Sequence, residues 1–150
     1  ELIHYFKYKR FLKAREPLAK ILVSYIKDLN LKGRADMVLP IPLHVSKERK
    51  RGFNQSEILA EVVGKYLELP VRKLLVRTKK TKSQIDLPRN LREGNMRDAF
   101  VTNKSELSIK GKSVIIVDDV YTSGATIREA AKVLRQAGAR NITALVLAKA

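Results

Sequence analysis

Residues 114–126 read Val-Ile-Ile-Val-Asp-Asp-Val-Tyr-Thr-Ser-Gly-Ala-Thr. The apolar run Ser113–Val117 predicts a strand buried on both faces, ending at Asp118-Asp119. A turn over Tyr121–Gly124 follows. A helix is then expected from about Ala125 to Ala137, with Gly138 as its stop. Ile142–Leu147 predicts a second buried strand. Strand, turn, helix and strand at this spacing form a βαβ unit, so the sheet is at least partly parallel. Adjacent side chains of a strand point to opposite sides, so Asp118 and Asp119 should have different tasks. Thr122, Ser123, Gly124 and Thr126 fall at a helix N-terminus, where unpaired N–H groups and the helix dipole suit a phosphate. A turn that receives one anion, beside carboxylates that receive hydroxyls or a metal, fits a sugar phosphate. The alternative is a tight turn in which Asp and Thr act only as caps.

Working outward, Leu18, Ile21, Leu22, Tyr25, Ile26 and Leu29 predict an amphipathic helix over Pro17–Leu29, with Pro17 at its first position. The mixed segment before it, Leu2–Leu12, is helical or irregular. Asp36–Leu39 predicts a short buried strand stopped by Pro40-Ile41-Pro42. A basic loop, Lys47–Arg51, follows. Asn54 then reads as a helix N-cap with Glu57 completing a capping box, and that helix ends near Pro70. Leu74–Arg77 and Phe100-Val101 read as short strands. The polar, basic stretch Thr78–Asn95 is long for a compact domain, which often signals function.

The chain has 150 residues, which suits one domain, and 45% of them are apolar, enough for a core. No apolar run is long enough to cross a membrane. No signal-peptide pattern is present, so a cytoplasmic location is expected. With no cysteine, disulfide scaffolds, thiolate zinc sites and Cys nucleophiles are excluded within these residues. The net charge is +16, from 31 basic and 15 acidic residues. Residues 1–97 hold 23 basic and 10 acidic residues, a balance of +13; residues 98–150 hold 8 and 5, a balance of +3. Such a surface attracts polyanions, without naming which. His4 and His44 form no cluster with metal-ligand spacing, so no protein-held metal site is expected.

The stretch Val114–Thr126 resembles the phosphoribosyl pyrophosphate (PRPP) signature of type I phosphoribosyltransferases. Thr122-Ser123-Gly124 stands where the common form has Thr-Thr-Gly. The likeness narrows to the ComF family through Pro40-Ile41-Pro42-Leu43-His44, Arg49, Arg51-Gly52-Phe53-Asn54-Gln55, Arg77-Thr78, Thr81, Gln84, Leu87, Arg92, Asn95 and Ala99-Phe100. It covers roughly residues 5–148. Two departures stand out. ComF-type proteins usually carry a Cys-rich zinc finger ahead of this domain, and that finger is absent here or lies before Glu1. Asp98 stands where the family usually has Gly.

The resemblance implies an α/β fold, a mainly parallel sheet flanked by helices. A small hood would come from about residues 1–30 and 72–97, and the PRPP-binding core from about 33–71 and 98–150. Asp118 and Asp119 would be the catalytic acids on the ribose. Tyr121, Thr122, Ser123, Gly124, Ala125 and Thr126 would hold the 5-phosphate. Pro42, Leu43, His44, Arg49 and Arg51 would meet the pyrophosphate, which Arg binds bidentately. Arg77, Thr78, Lys80, Thr81 and Gln84 would belong to a flexible loop that closes over PRPP. For Lys47 and Lys50 a solvated basic surface is an equal reading. Mg²⁺ would arrive with the diphosphate.

The implied activity is transfer of ribose 5-phosphate from PRPP with release of pyrophosphate, linked to competence and DNA uptake. The alternative is a non-catalytic competence protein that binds single-stranded DNA or a partner and keeps a vestigial PRPP pocket. Partners expected on these readings are PRPP, single-stranded DNA and other competence proteins, and a homo-oligomer is compatible with both. The acceptor base has no decodable motif.

Overall fold

A computed structural model describes residues 11–79, 88, 91–103 and 109–149. Ten elements are found among them. They are α1 (Phe11–Asp28), β1 (Met37–Pro40), α2 (Val45–Arg51), α3 (Gln55–Leu67), β2 (Leu75–Arg77), α4 (Arg92–Met96), β3 (Phe100–Thr102), β4 (Ser113–Tyr121), α5 (Ala125–Gln136) and β5 (Asn141–Lys149).

The main sheet is parallel, with β4 between β1 and β5. Met37 stands opposite Val114, and Val117 opposite both Pro40 and Leu145. Its pleat sorts the apolar run of β4 onto two cores. Val114 and Ile116 join Met37 and Leu39 in a cluster with Ala125, Ala130 and Leu134 of α5. Ile115 and Val117 join Val38 in a cluster with Leu22 and Ile26 of α1 and Leu59 and Val63 of α3. Helices therefore cover both faces, which is why the strand shows no alternation of polar and apolar residues. Burial of each such side chain contributes about 1.5–3 kcal/mol before the entropy of ordering it is set against that.

A two-stranded antiparallel ribbon, β2 with β3, stands apart from this sheet, with Val76 opposite Val101. Leu75 and Phe100 turn into the core on the α5 side.

Several boundaries differ from the sequence expectation. Pro17 lies inside α1, not at its start. A proline there removes one N–H bond, but Leu18, Leu22 and Ile26 hold the following turns against the core. Three other positions of the expected apolar stripe face outward: Ile21 and Tyr25, and Leu29 just past the helix end, are 57%, 50% and 38% exposed. The Lys47–Arg51 segment is the helix α2, not a loop. His44 caps it, its Nδ1 accepting from the Ser46 N–H at 3.2 Å. Gly52 ends it at φ 81°, donating its N–H to the Glu48 carbonyl at 2.7 Å. Residues 92–96, expected within a polar stretch, form α4.

Asn54 caps α3 as expected, its Oδ1 accepting from the Ser56 N–H at 3.1 Å. Glu57 is paired with Lys73, at the approach to β2. That hydrogen bond, ahead of the carboxylates nearby, holds the Lys73 ammonium charged above its ordinary range. Finally, β4 does not stop at the two acids. Its ladder to β5 continues through Val120 opposite Ala148 and Tyr121 opposite Lys149.

Candidate functional site

The carboxyl edge of a parallel sheet is where the loops of an open α/β fold gather. Here the end of β1 meets β4 just before its two acids, for the Ile41 N–H donates to the Val117 carbonyl at 2.9 Å. Pro42, Leu43 and His44 leave β1 at that point, half-buried, just where Asp118 and Asp119 leave the apolar part of β4.

Both acids are only 9% exposed. Asp118 Oδ1 accepts from the Ser56 hydroxyl at 2.9 Å and from the Asp119 N–H at 2.9 Å. Ser56 belongs to the first turn of α3, so this bond ties the acid pair to a segment 62 residues earlier. Asn54, one step outside that helix, donates from Nδ2 to the Ile41 carbonyl at 3.1 Å. Gln55 lies buried between them.

The turn after β4 is built around Gly124, which takes φ 78° at the N-cap of α5 with no side-chain cap. A β-carbon there would collide with the Tyr121 hydroxyl and would lie 2.8 Å from Arg128 Nη1. Glycine suits both the left-handed backbone and the close approach without displacing either side chain. Ser123 Oγ accepts from the Ala125 N–H at 3.3 Å, and Arg128 Nη1 donates to the Ser123 carbonyl at 2.9 Å. Thr122, Ser123 and Thr126 are half-buried around the helix start. Backbone N–H groups, hydroxyls and a guanidinium thus lie along one turn, a set of donors suited to phosphate.

The other predicted residues divide. Arg49 is exposed on α2. Arg51 is the last residue of that helix. Arg77 ends β2, in keeping with the strand expected over Leu74–Arg77, and is not in the flexible loop that the resemblance implies. It is buried, its guanidinium 5.7 Å from the centre of the Phe100 ring and Nη2 3.4 Å from Met96 Sδ. Thr78 continues the ribbon by donating its N–H to the Ala99 carbonyl at 3.0 Å. Lys80, Thr81 and Gln84 lie outside the described residues, as does His4.

Asp98 now has a physical reading. It takes φ 53°, the conformation glycine adopts readily. Its N–H donates to Glu129 Oε1 at 3.0 Å, and its carboxylate lies 3.6 Å from Lys132 Nζ. A hollow of about 400 Å³ lies beside this turn, lined by Arg97, Asp98, Ala125, Arg128, Glu129 and Lys132.

Ser56 and Arg128 were missed in the sequence. Ser56 carries no signal there, being one polar residue in the first turn of an amphipathic helix. Arg128 had one: it stands one helical turn after Gly124, where its side chain can reach back to the turn.

Among the described residues no group of three or more His, Asp or Glu is placed to hold a metal ion. No helix among them is long and apolar enough to cross a membrane.

Comparison with known proteins agrees with this fold. The adenine phosphoribosyltransferase fold is similar at a TM-score of 0.60, with 14% identity over 92% of this chain and 71% of that one. The glutamine PRPP amidotransferase of B. subtilis is similar at 0.57, with 23% identity over 89% of this chain and 26% of that one. Such identities speak for the fold alone. Among curated proteins, competence protein F of Haemophilus influenzae is 29% identical over 99% of this chain and 67% of its own length. The DNA utilization protein YhgH of Escherichia coli K12 is 32% identical over 92% of this chain and 61% of its own. The chain thus spans about two thirds of the length of these relatives. The phosphoribosyl transferase domain family matches residues 12–150. The chain belongs to the phosphoribosyl transferase domain family, in the ComF line that includes competence protein F and YhgH.

Proposed function

We propose that this domain binds PRPP at the carboxyl edge of β4 and transfers its ribose 5-phosphate to an acceptor, releasing pyrophosphate. The observation that carries this reading is one continuous unit. A buried acid pair, Asp118-Asp119, is followed within a few residues by a left-handed Gly124 and the N-terminus of α5.

In this reading the N–H groups and hydroxyls of Thr122–Thr126, with Arg128, receive the 5-phosphate. Asp118 and Asp119 receive the ribose hydroxyls. Residues 42–44, with Arg49 and Arg51, face the pyrophosphate. Mg²⁺ keeps most of its ligands from water and phosphate oxygens and needs only one or two carboxylates. Two adjacent buried acids fit an ion carried in with the diphosphate, and it would neutralise charge on the leaving group. The protein's own contribution is positioning and fixed dipoles, so the site acts chiefly by holding PRPP with its C1 open to attack. Residues 72–97, which include the ribbon strand β2, would form with the N-terminal segment the hood that selects the acceptor.

The test is direct. PRPP with Mg²⁺ should raise the melting temperature, and ligand at a hundred times its Kd should add about 2.7 kcal/mol. Incubation with a panel of bases should then release pyrophosphate with one of them. No thermal shift at millimolar PRPP refutes the binding reading; a shift without pyrophosphate release limits it to binding.

A second reading rests on the uneven charge, +13 before residue 98 and +3 after it. It makes the domain a binder of single-stranded DNA in competence, with or without transfer chemistry. The names of its relatives, competence protein F and DNA utilization protein YhgH, support that direction.

A further inference from the structure

A chain of hydrogen bonds crosses the carboxyl edge of the sheet. It starts at the Ile41 carbonyl, at the head of the loop after β1. Asn54 Nδ2 donates to that carbonyl at 3.1 Å, and Asn54 Oδ1 accepts from the Ser56 N–H at 3.1 Å. The Ser56 hydroxyl donates to Asp118 Oδ1 at 2.9 Å, and the same oxygen accepts from the Asp119 N–H at 2.9 Å. All five residues are buried. Each bond has ordinary length and a donor matched to an acceptor.

We infer that Ser56 is a positioning residue for the acid pair: its hydroxyl fixes the Asp118 carboxylate and, through Asp118, the Asp119 backbone. This deepens the PRPP reading and rests on it.

A carboxylate on a strand can swing about two side-chain torsions. Two donors converging on one oxygen from different elements leave it a single orientation. One donor is local, the amide of the next residue. The other comes from α3, whose own position is set by Asn54 against β1. Ser56 is therefore the joint at which the β1 loop and the β4 acids are held in register. The bond is charge-assisted and buried, the kind that contributes most. Preorganisation of this sort lowers what a ligand must spend on ordering the site.

The experiment compares wild type with Ser56→Ala, Ser56→Thr and Ser56→Cys. PRPP with Mg²⁺ is titrated by calorimetry. Hydrogen exchange of the Asp119 amide is followed by NMR in the ligand-free proteins. Loss of a hydrogen bond to a charged group corresponds to a Kd raised about tenfold to a hundredfold in Ser56→Ala. Faster exchange at the Asp119 amide should accompany it, because a released Asp118 no longer holds that N–H. Ser56→Thr keeps the hydroxyl and should restore both readouts, which a general loss of packing would not do. If the alanine variant does not fold, Ser56→Cys decides, since it keeps the volume with a weak donor and should show an intermediate loss.

Wild type that binds PRPP together with an unchanged Kd or unchanged Asp119 exchange in Ser56→Ala overturns the positioning role and leaves the PRPP reading standing. Wild type that fails to bind PRPP overturns that reading and this role with it.

Discussion

Replacing Gly124 by alanine probes the phosphate turn at its tightest point. Two effects oppose each other in stability. The backbone at φ 78° strains any residue with a β-carbon, by about 1–2 kcal/mol. Alanine also restricts the unfolded chain, which offsets about 0.4–1 kcal/mol of that. The new methyl meets the Tyr121 hydroxyl and Arg128 Nη1, but both are ends of movable side chains on the protein's outer part. They can swing away, so the overlap adds little to the stability loss. The net expectation is about 1 kcal/mol, a fall in melting temperature of about 2–4 °C for a domain of this size. Binding should suffer more. If Arg128 moves, it gives up the Ser123 carbonyl, and the turn loses the shape that aims its N–H groups. A displacement near 1 Å at a binding centre is enough for a loss of about a hundredfold in the chemistry it supports. Thermal melts with and without PRPP separate the two effects: Gly124→Ala should melt slightly early and gain almost nothing from PRPP. A folded Gly124→Ala that PRPP stabilises as it does wild type would refute the phosphate role of this turn.

Four further outcomes follow from the same structure. Asp118→Asn with Asp119→Asn should leave the ligand-free protein folded and abolish the Mg²⁺-dependent part of PRPP binding, measured by calorimetry with and without chelator. Unchanged affinity in the folded double variant would remove the acids from the site. Asp98→Gly should change stability by no more than about 0.5 kcal/mol in denaturant titrations, because relief at φ 53° balances the loss of an exposed pair to Lys132. Asp98→Val should lower stability by about 1–2 kcal/mol, since a β-branched residue is a true outlier in that region. Single-stranded DNA should bind with a log–log salt slope of roughly −0.7 per phosphate neutralised, and affinity that ignores salt would defeat the DNA reading.

Much of the fold could be read from the chain because its core strand is extreme. Val114–Val117 is apolar without alternation, and that pattern requires cover on both faces; α1 with α3 and α5 supply it. Gly138, at φ 98°, follows α5 almost where a stop was expected. The failures have local causes. Val45–Arg51 has no apolar periodicity, so nothing in its pattern marks a helix; the His44 cap and the left-handed Gly52 close it from outside. Pro17 looks like a start because proline is favoured at first turns, and α1 overrides that preference with the Leu18, Leu22 and Ile26 contacts. At the site, residues 118–126 are contiguous and carry their own signal. Ser56 could not be found, since its bond to Asp118 exists only once α3 is laid beside β4. Arg77 is legible as the end of a strand over Leu74–Arg77, and only the resemblance puts it in a loop; the Phe100 ring gives its guanidinium a buried surface to lie on.

The arrangement of the two acids also bears on what the domain is for. A buried carboxylate is unfavourable unless donors surround it, and two in succession repel each other as well. A scaffold shaped for stability alone would put apolar residues at the end of β4, continuing the run before it. Instead the strand carries Asp118 and Asp119 into the interior, still paired to β5 through Val146 and Ala148. Ser56 and the Asp119 N–H supply donors to one of them, and Asn54 keeps Ser56 in place from the far side of the β1 loop. Polar groups from two separate segments, the start of α3 and β4 itself, are thus committed to holding negative charge at one edge. A few residues away, the turn at Gly124 collects N–H groups, hydroxyls and Arg128. Opposite electrostatic demands are met side by side, one suited to hydroxyls or a cation and one to an anion. A ligand that offers both in a single molecule uses the whole arrangement, and a sugar phosphate does so at the spacing of one strand end and one helix start.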